Sequence, residues 1–284
     1  MTLTPTRTLL DEAAEAGRGL GAFNVLHLET AEALVAAAER TGRPVILQLS
    51  ENCVGYHGAL EPIALATLSI ADASSARVAV HLDHAEDAQL ALRAIDLGFG
   101  SVMYDGAKLE FAENVATTRR VVAHAASAGV LVEAELGEIG GKDGAHAPGV
   151  RTDPDEAARF VAETGVGALA VAVGSSHAMV ERVAAIDLDL IARLRSAVPV
   201  PLVLHGSSGV GDELIVEGIR AGLVKINVST HLNVQFTGAI RAYLDAHPTT
   251  VDSRKVLAAG RDALGVEAAR LLDLFGSAGR DRTV

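Results

Sequence analysis

Three short stretches of the chain concentrate groups that do chemistry: His81-Leu82-Asp83-His84, Gly174-Ser175-Ser176-His177 and His205-Gly206-Ser207-Ser208-Gly209. Each closes an apolar, β-rich run where a strand gives way to a loop. If those strands share one parallel sheet, three histidines can converge, and three imidazoles with an open fourth position are the ligand set of a catalytic zinc. His81 competes with His84 for the first place, because it alternates with Asp83 along the strand. A single histidine is more simply read as a hydrogen-bonded polar residue. Three at corresponding strand ends favour a metal.

Asp83 adjoins the first histidine, and a carboxylate there either supports a ligand or carries a proton. Asp105 ends another run, and Glu135 lies in VEAELG with Glu133 on the same face by the period of two. Such acids bind a second cation or pair with a neighbour. Lys225, inside a further run, is the candidate for a Schiff base, the metal-free route to carbonyl chemistry. His27, His57, His124, His146 and His231 lack any partner pattern and read as surface or supporting residues.

Residues 205–209 (HGSSG) and 227–230 (NVST) combine glycine with small hydroxyls. Alone, the first is a tight turn and the second a helix cap. As two adjacent loops of one character, they suit a phosphate held by backbone N–H groups and hydroxyls.

Positioning these groups requires the strands to be neighbours. Eight β-rich runs alternate with Ala-rich helical windows: Gly21 to Leu26 with Leu20, Pro44 to Ser50, Val78 to His84, Ser101 to Gly106, Val130 to Gly137, Ala168 to Gly174, Pro201 to Gly209 and Leu223 to Thr230. Helices close at Gly42, Gly98, Gly129, Gly165 and Gly222, just before the next run. A doubly wound sheet lacks its GxGxxG here, so the pattern predicts an α/β fold of the (β/α)8 TIM-barrel type. The chain of 284 residues reads as one domain, 1–284, with an active-site flap at about 137–152 and C-terminal helices over 231–275.

Composition narrows the partners. A net charge of −12 without a Lys/Arg run disfavours nucleic acid, and 3% aromatics without Trp disfavours stacking-based recognition. The lone cysteine, Cys53, excludes an internal disulfide and a CxxC metal site. Without an apolar stretch long enough for a membrane span or a signal peptide, a cytoplasmic location and no membrane partner are expected.

In order along nearly the whole chain, GAFNVLHLET, HLDHAED, SVMYDGAKLEFAEN, VEAELGEIGG, VAVGSSHAM, PLVLHGSSG and KINVST resemble the class II, metal-dependent fructose-bisphosphate/tagatose-bisphosphate aldolases. The resemblance implies a zinc held by His84, His177 and His205 that polarises the dihydroxyacetone phosphate carbonyl. It implies Asp83 as the group moving the C4-hydroxyl proton, with Gly206, Ser208, Asn227, Ser229 and Thr230 holding that phosphate. Asp105 and Glu135 match acids able to hold an alternative or second metal. Ser50 falls at the distal substrate end, and Arg254 resembles an arginine reaching the second phosphate across a dimer interface. The implied reaction is reversible cleavage of a ketose 1,6-bisphosphate, fructose 1,6-bisphosphate first, to dihydroxyacetone phosphate and an aldehyde such as glyceraldehyde 3-phosphate. This would be a glycolytic lyase and a homodimer or larger homo-oligomer. Tagatose bisphosphate or another ketose 1-phosphate is the alternative substrate; a barrel hydrolase or an inactive sugar-phosphate-binding module is the alternative function.

Three positions depart from the family pattern. Ala178 follows His177 where glycine is usual; it keeps the N–H but is expected to lose positive φ and distort a phosphate or monovalent-cation contact. The flap reads Gly140-Gly141-Lys142-Asp143-Gly144, so Asp143 takes the place of a proton-transferring glutamate with one methylene less. A base misplaced on that scale costs about 100-fold in rate. Glu51 follows Ser50, and an acid beside a second phosphate would point to a different aldehyde.

Overall fold

The computed structural model describes residues 3–136 and 151–279. The eight runs form strands β1 (Leu20–Asn24), β2 (Val45–Ser50), β3 (Val78–Ala85), β4 (Ser101–Tyr104), β5 (Leu131–Leu136), β6 (Ala168–Val171), β7 (Leu202–Leu204) and β8 (Leu223–Val228). They pair in parallel in chain order, and β8 closes on β1, giving the expected (β/α)8 barrel.

Helices α1 (Thr6–Ala16), α2 (Leu28–Thr41), α3 (Glu51–His57), α4 (Glu61–Ala73), α5 (Ala88–Asp96) and α6 (Phe111–Ala128) serve the first half. The second half has α7 (Pro154–Thr164), α8 (Leu188–Ala197), α9 (Asp212–Ala221), α10 (Thr230–Ala246) and α11 (Ser253–Ser277). Their starts follow local chemistry: Asp87, Asp153, Asp187 and Asp252 each accept a backbone N–H at the opening of α5, α7, α8 and α11. Among the described residues, no helix is long and apolar enough to cross a membrane.

Two boundaries differ from expectation. Strand β6 stops at Val171, leaving His177 six residues into a loop, and β7 covers only Leu202–Leu204 before a 3₁₀ turn at Ser207–Gly209. The C-terminal helical stretch is two helices, because Pro248 has no N–H to donate and Asp252 caps a fresh start.

Leu47, Leu49, Leu82, Val102, Leu169 and Ile226 face outward into the helix layer. Inside the barrel, Leu9 and Leu10 of α1 meet Leu20, Ile46, Met103, Leu131, Val203 and Val224 in a second apolar cluster that closes the N-terminal end. Burying each such leucine fully contributes about 1.5–3 kcal/mol. With period two, the inward series then turns polar: Ile46 gives way to Gln48 and Ser50, Ala79 to His81 and Asp83, Leu131 to Glu133 and Glu135. Chemistry is thereby confined to the C-terminal half of the interior.

Candidate active site

Along β3, strict alternation would send His84 outward with Leu82. His84 instead takes φ +52°, and the β3–β4 register shifts between Leu82 and Ala85. This is a bulge that turns the ring back over the barrel mouth, at a cost of about 1–2 kcal/mol for a left-handed L-residue. His81, the competing ligand, stays below: its Nδ1 lies 2.8 Å from Ser101 Oγ and its Nε2 3.2 Å from Lys225 Nζ. The bulge brings His84, and not His81, to the cavity at the barrel mouth.

His84, His177 and His205 bring one ring nitrogen each within 4.8 Å of the others. His84 Nε2 and His205 Nδ1 are 2.7 Å apart. On their far sides, His84 Nδ1 meets Asp105 Oδ2 at 2.8 Å and His205 Nε2 meets Glu133 Oε1 at 2.9 Å. A carboxylate only accepts, so each of these outer nitrogens carries the proton and each inner nitrogen presents a lone pair. Burial, reinforced by His84, pushes His205 well below the ordinary histidine range and keeps it in the neutral, ligating form. Facing nitrogens at that distance are joined by a shared proton or by a metal cation, and three converging imidazoles backed by carboxylates are the donor set of a divalent metal. Glu135 Oε2 lies 3.9 Å from His84 Nδ1, and His84, Asp105 and Glu135 form a second group close enough to share a cation.

Beside the histidines, Asp83 is 4% exposed. Asn24 and Gln48 donate to its Oδ2 at 3.4 and 3.3 Å, and Asn227 donates to Oδ1 at 3.2 Å. Burial works to raise its pKa, but the Lys225 ammonium and three amide donors overcome it and hold the carboxyl below the ordinary aspartate range. The result is a fixed, ionised base.

The two hydroxyl-rich loops lie next to each other. Gly206 has φ +64°, and a Cβ there would come within 2.6 Å of the Ser176 backbone, so only glycine fits. Ser175 Oγ donates to His205 O at 2.6 Å, Ser207 Oγ donates to Asn227 O, and the His231 N–H donates to Ser208 Oγ at 3.1 Å. Thr230 opens α10, whose N-terminal N–H groups suit an anion. His231 then passes to Glu267 (2.6 Å), which binds Arg270; Arg270 and Arg182 both bind Asp212 at 2.5 Å, and Arg182 Nε donates to Val210 O. This chain of contacts ties together the loops after β6, β7 and β8.

A family model described as fructose-bisphosphate aldolase class-II matches residues 4–280. A fructose-bisphosphate aldolase of Geobacillus stearothermophilus is 37% identical over 284 residues, 99% of both chains. The chain belongs to the class II fructose-bisphosphate aldolase family. Among solved structures, the YdjI aldolase of Escherichia coli K12 superposes with a TM-score of 0.82 at 30% identity over 98% of both chains. A fructose-bisphosphate aldolase of Campylobacter jejuni, at 20% identity and a TM-score of 0.80 over 95% of this chain and 93% of its own, supports the fold alone. As a class II aldolase the protein is a metal-dependent lyase acting on a ketose bisphosphate.

In this aldolase, Ser50, Asp83 and the three histidines line one cavity with Gly206, Ser208, Asn227, Ser229 and Thr230. Asp105 and Glu135 stand behind His84. Glu51 is turned away: its Oε2 accepts the N–H groups of Glu86 (2.6 Å) and Asp87 (3.3 Å), while Asn52 lines the cavity. Arg254 sits outside, its side chain 90% exposed and bound to Asp252. The flap residues 137–150, with Asp143, lie outside the described residues. Ala178 does adopt φ +59°, contrary to the expectation that alanine forgoes it. Asn24, Gln48 and Asn52 are cavity residues that motif spacing does not find; for Asn24 and Gln48 the available signal is an amide in an otherwise apolar strand, while Asn52 lies at the start of α3.

Proposed function

We propose that this aldolase reversibly cleaves fructose 1,6-bisphosphate to dihydroxyacetone phosphate and glyceraldehyde 3-phosphate, with zinc held by His84, His177 and His205. The observation that supports this most is the convergence of His84, His177 and His205, one ring nitrogen each, within 4.8 Å of one another. When bound, zinc supplies a Lewis acid for the ketose carbonyl. Asp83, kept ionised and held by three amides, takes the C4-hydroxyl proton. The C3–C4 bond then breaks, its electron pair passes toward the carbonyl as the enediolate forms, and the aldehyde departs. Asp143 returns a proton at C3.

Gly206, Ser208, Ser229 and Thr230 hold the C1 phosphate, while Asn227 orients Asp83. Ser50 faces the distal end, and with Glu51 occupied by two backbone N–H groups, no acid from that position opposes a second phosphate. Arg254 reaches that phosphate in a second copy, making the working unit a homodimer or larger. Asp105 and Glu135 offer a second cation site on the far side of His84. The setting is cytoplasmic carbohydrate metabolism, in one domain over 1–284.

The test is dihydroxyacetone phosphate release from fructose and tagatose bisphosphates by metal-replete and chelator-stripped protein. Release from the fructose substrate should vanish on stripping and return with zinc. Preference for tagatose bisphosphate, or a borohydride-trapped substrate adduct on Lys225, would overturn the proposal.

A further inference from the structure

Lys225 is a fully buried lysine inside a carbonyl-processing barrel, and its side chain is committed elsewhere than to substrate. Its Nζ donates to Glu133 Oε2 at 2.7 Å and to His81 Nε2 at 3.2 Å. Since His81 accepts there, its proton sits on Nδ1 and points to Ser101 Oγ at 2.8 Å. Glu133 divides its two oxygens, Oε2 to Lys225 and Oε1 to His205 Nε2 at 2.9 Å. The outer nitrogen of His205 is thus governed by a carboxylate whose rotation is fixed from below by an ammonium.

We propose that Lys225, acting through Glu133, is a positioning residue that fixes His205 with Nδ1 as its metal donor. This rests on the metal reading of the three histidines. An ammonium and a carboxylate in a dry interior persist only as a well-bonded pair. Here Ser101, His81, Lys225, Glu133 and His205 form one continuous series of contacts, with Asn227 Nδ2 beside the His205 ring at 3.3 Å. Without the ammonium, Glu133 turns toward other donors and His205 loses both its orienting acceptor and part of its basicity. Partners of this kind are worth about 10–100-fold in metal affinity.

Zinc affinity is measured on the full chain by chelator competition, with cobalt absorption as a second reading of the ligand field. Variants are Lys225→Met, Glu133→Gln and the two combined. Each single change should weaken zinc binding about 10–100-fold and alter the cobalt spectrum. The double variant should bind no more weakly than Glu133→Gln alone, because Lys225 acts through Glu133. Lys225→Met strands a buried carboxylate, so the double variant, which removes both charges, serves as the folded control. Native zinc affinity and a native cobalt spectrum in the double variant would overturn the inference, as would losses that multiply. A native chain that takes up no zinc would instead sink the metal reading itself.

Discussion

Asp83 and His84 are adjacent in sequence and face the same cavity, which a regular strand forbids. The left-handed backbone at His84 makes this arrangement. The carboxylate proposed to move the proton and an imidazole proposed to hold the metal thus stand side by side, and the strain falls at the site. The same conformation recurs at Ala178, beside His177.

At Ala178 the strain is removable. The residue is exposed, so its methyl group has little packing role. Left-handed φ costs an L-residue about 1–2 kcal/mol, against about 0.5–1 kcal/mol for the extra chain entropy of glycine. Ala178→Gly should therefore stabilise the protein by about 0.5–1 kcal/mol, a rise in Tm of about 1–3 °C by calorimetry. An unchanged or lower Tm would refute the assigned strain.

Asp83→Asn keeps the shape but removes the base, and its NH2 end can no longer accept from the amide that faces it. Turnover should fall by about 10²–10⁴-fold, the usual worth of a positioned general base. Zinc uptake, followed by chelator competition, should persist. Loss of zinc together with activity would make Asp83 a support for His84 instead.

The contacts among Glu267, Arg270, Asp212 and Arg182 carry a pH signature. Burial works to raise the pKa of both acids, but hydrogen bonds from Arg270, with Arg182 on Asp212 and His231 on Glu267, bring each below its usual value. Folded pKa values below unfolded ones mean stability that is present above about pH 4 and lost as pH falls through the folded values. Urea unfolding midpoints should drop below pH 4 in the native chain. In Asp212→Asn that drop should be shallower, and KM for the sugar phosphate should rise because the phosphate loops loosen. A pH profile identical to the native one would show that Asp212 contributes nothing to the acid transition.

Cys53 is 3% exposed, and burial pushes its thiol up to about 11. At pH 8 the folded protein should react with a thiol reagent far more slowly than the urea-unfolded chain. Equal rates would show that the start of α3 opens freely.

The barrel is legible in the sequence because the eight strands announce themselves by period and several helices close at a glycine just before the next strand, as at Gly42, Gly129 and Gly165. Its strand ends are less so: β7 shrinks to three residues because the glycine-rich turn at Gly206 begins at once. The strand-end histidines are legible, yet alternation alone favours His81, and only the backbone at His84 reverses that choice. Glu51 shows the same limit. As the first residue of α3 it points to the loop after β3, a direction set by a helix that residue spacing does not reveal. Glu133 and Lys225 stand far apart in sequence, and only closure of the barrel makes them a pair.

The apolar cluster beneath Lys225, sealed by Leu9 and Leu10, makes this barrel a cup and not a tube. His81, Lys225 and Glu133 are fully buried between that plug and the cavity at the rim. Anything seated at the rim corks the vessel, so exchange of those deep protons with solvent is itself a gauge of occupancy, read from the opposite end of the molecule.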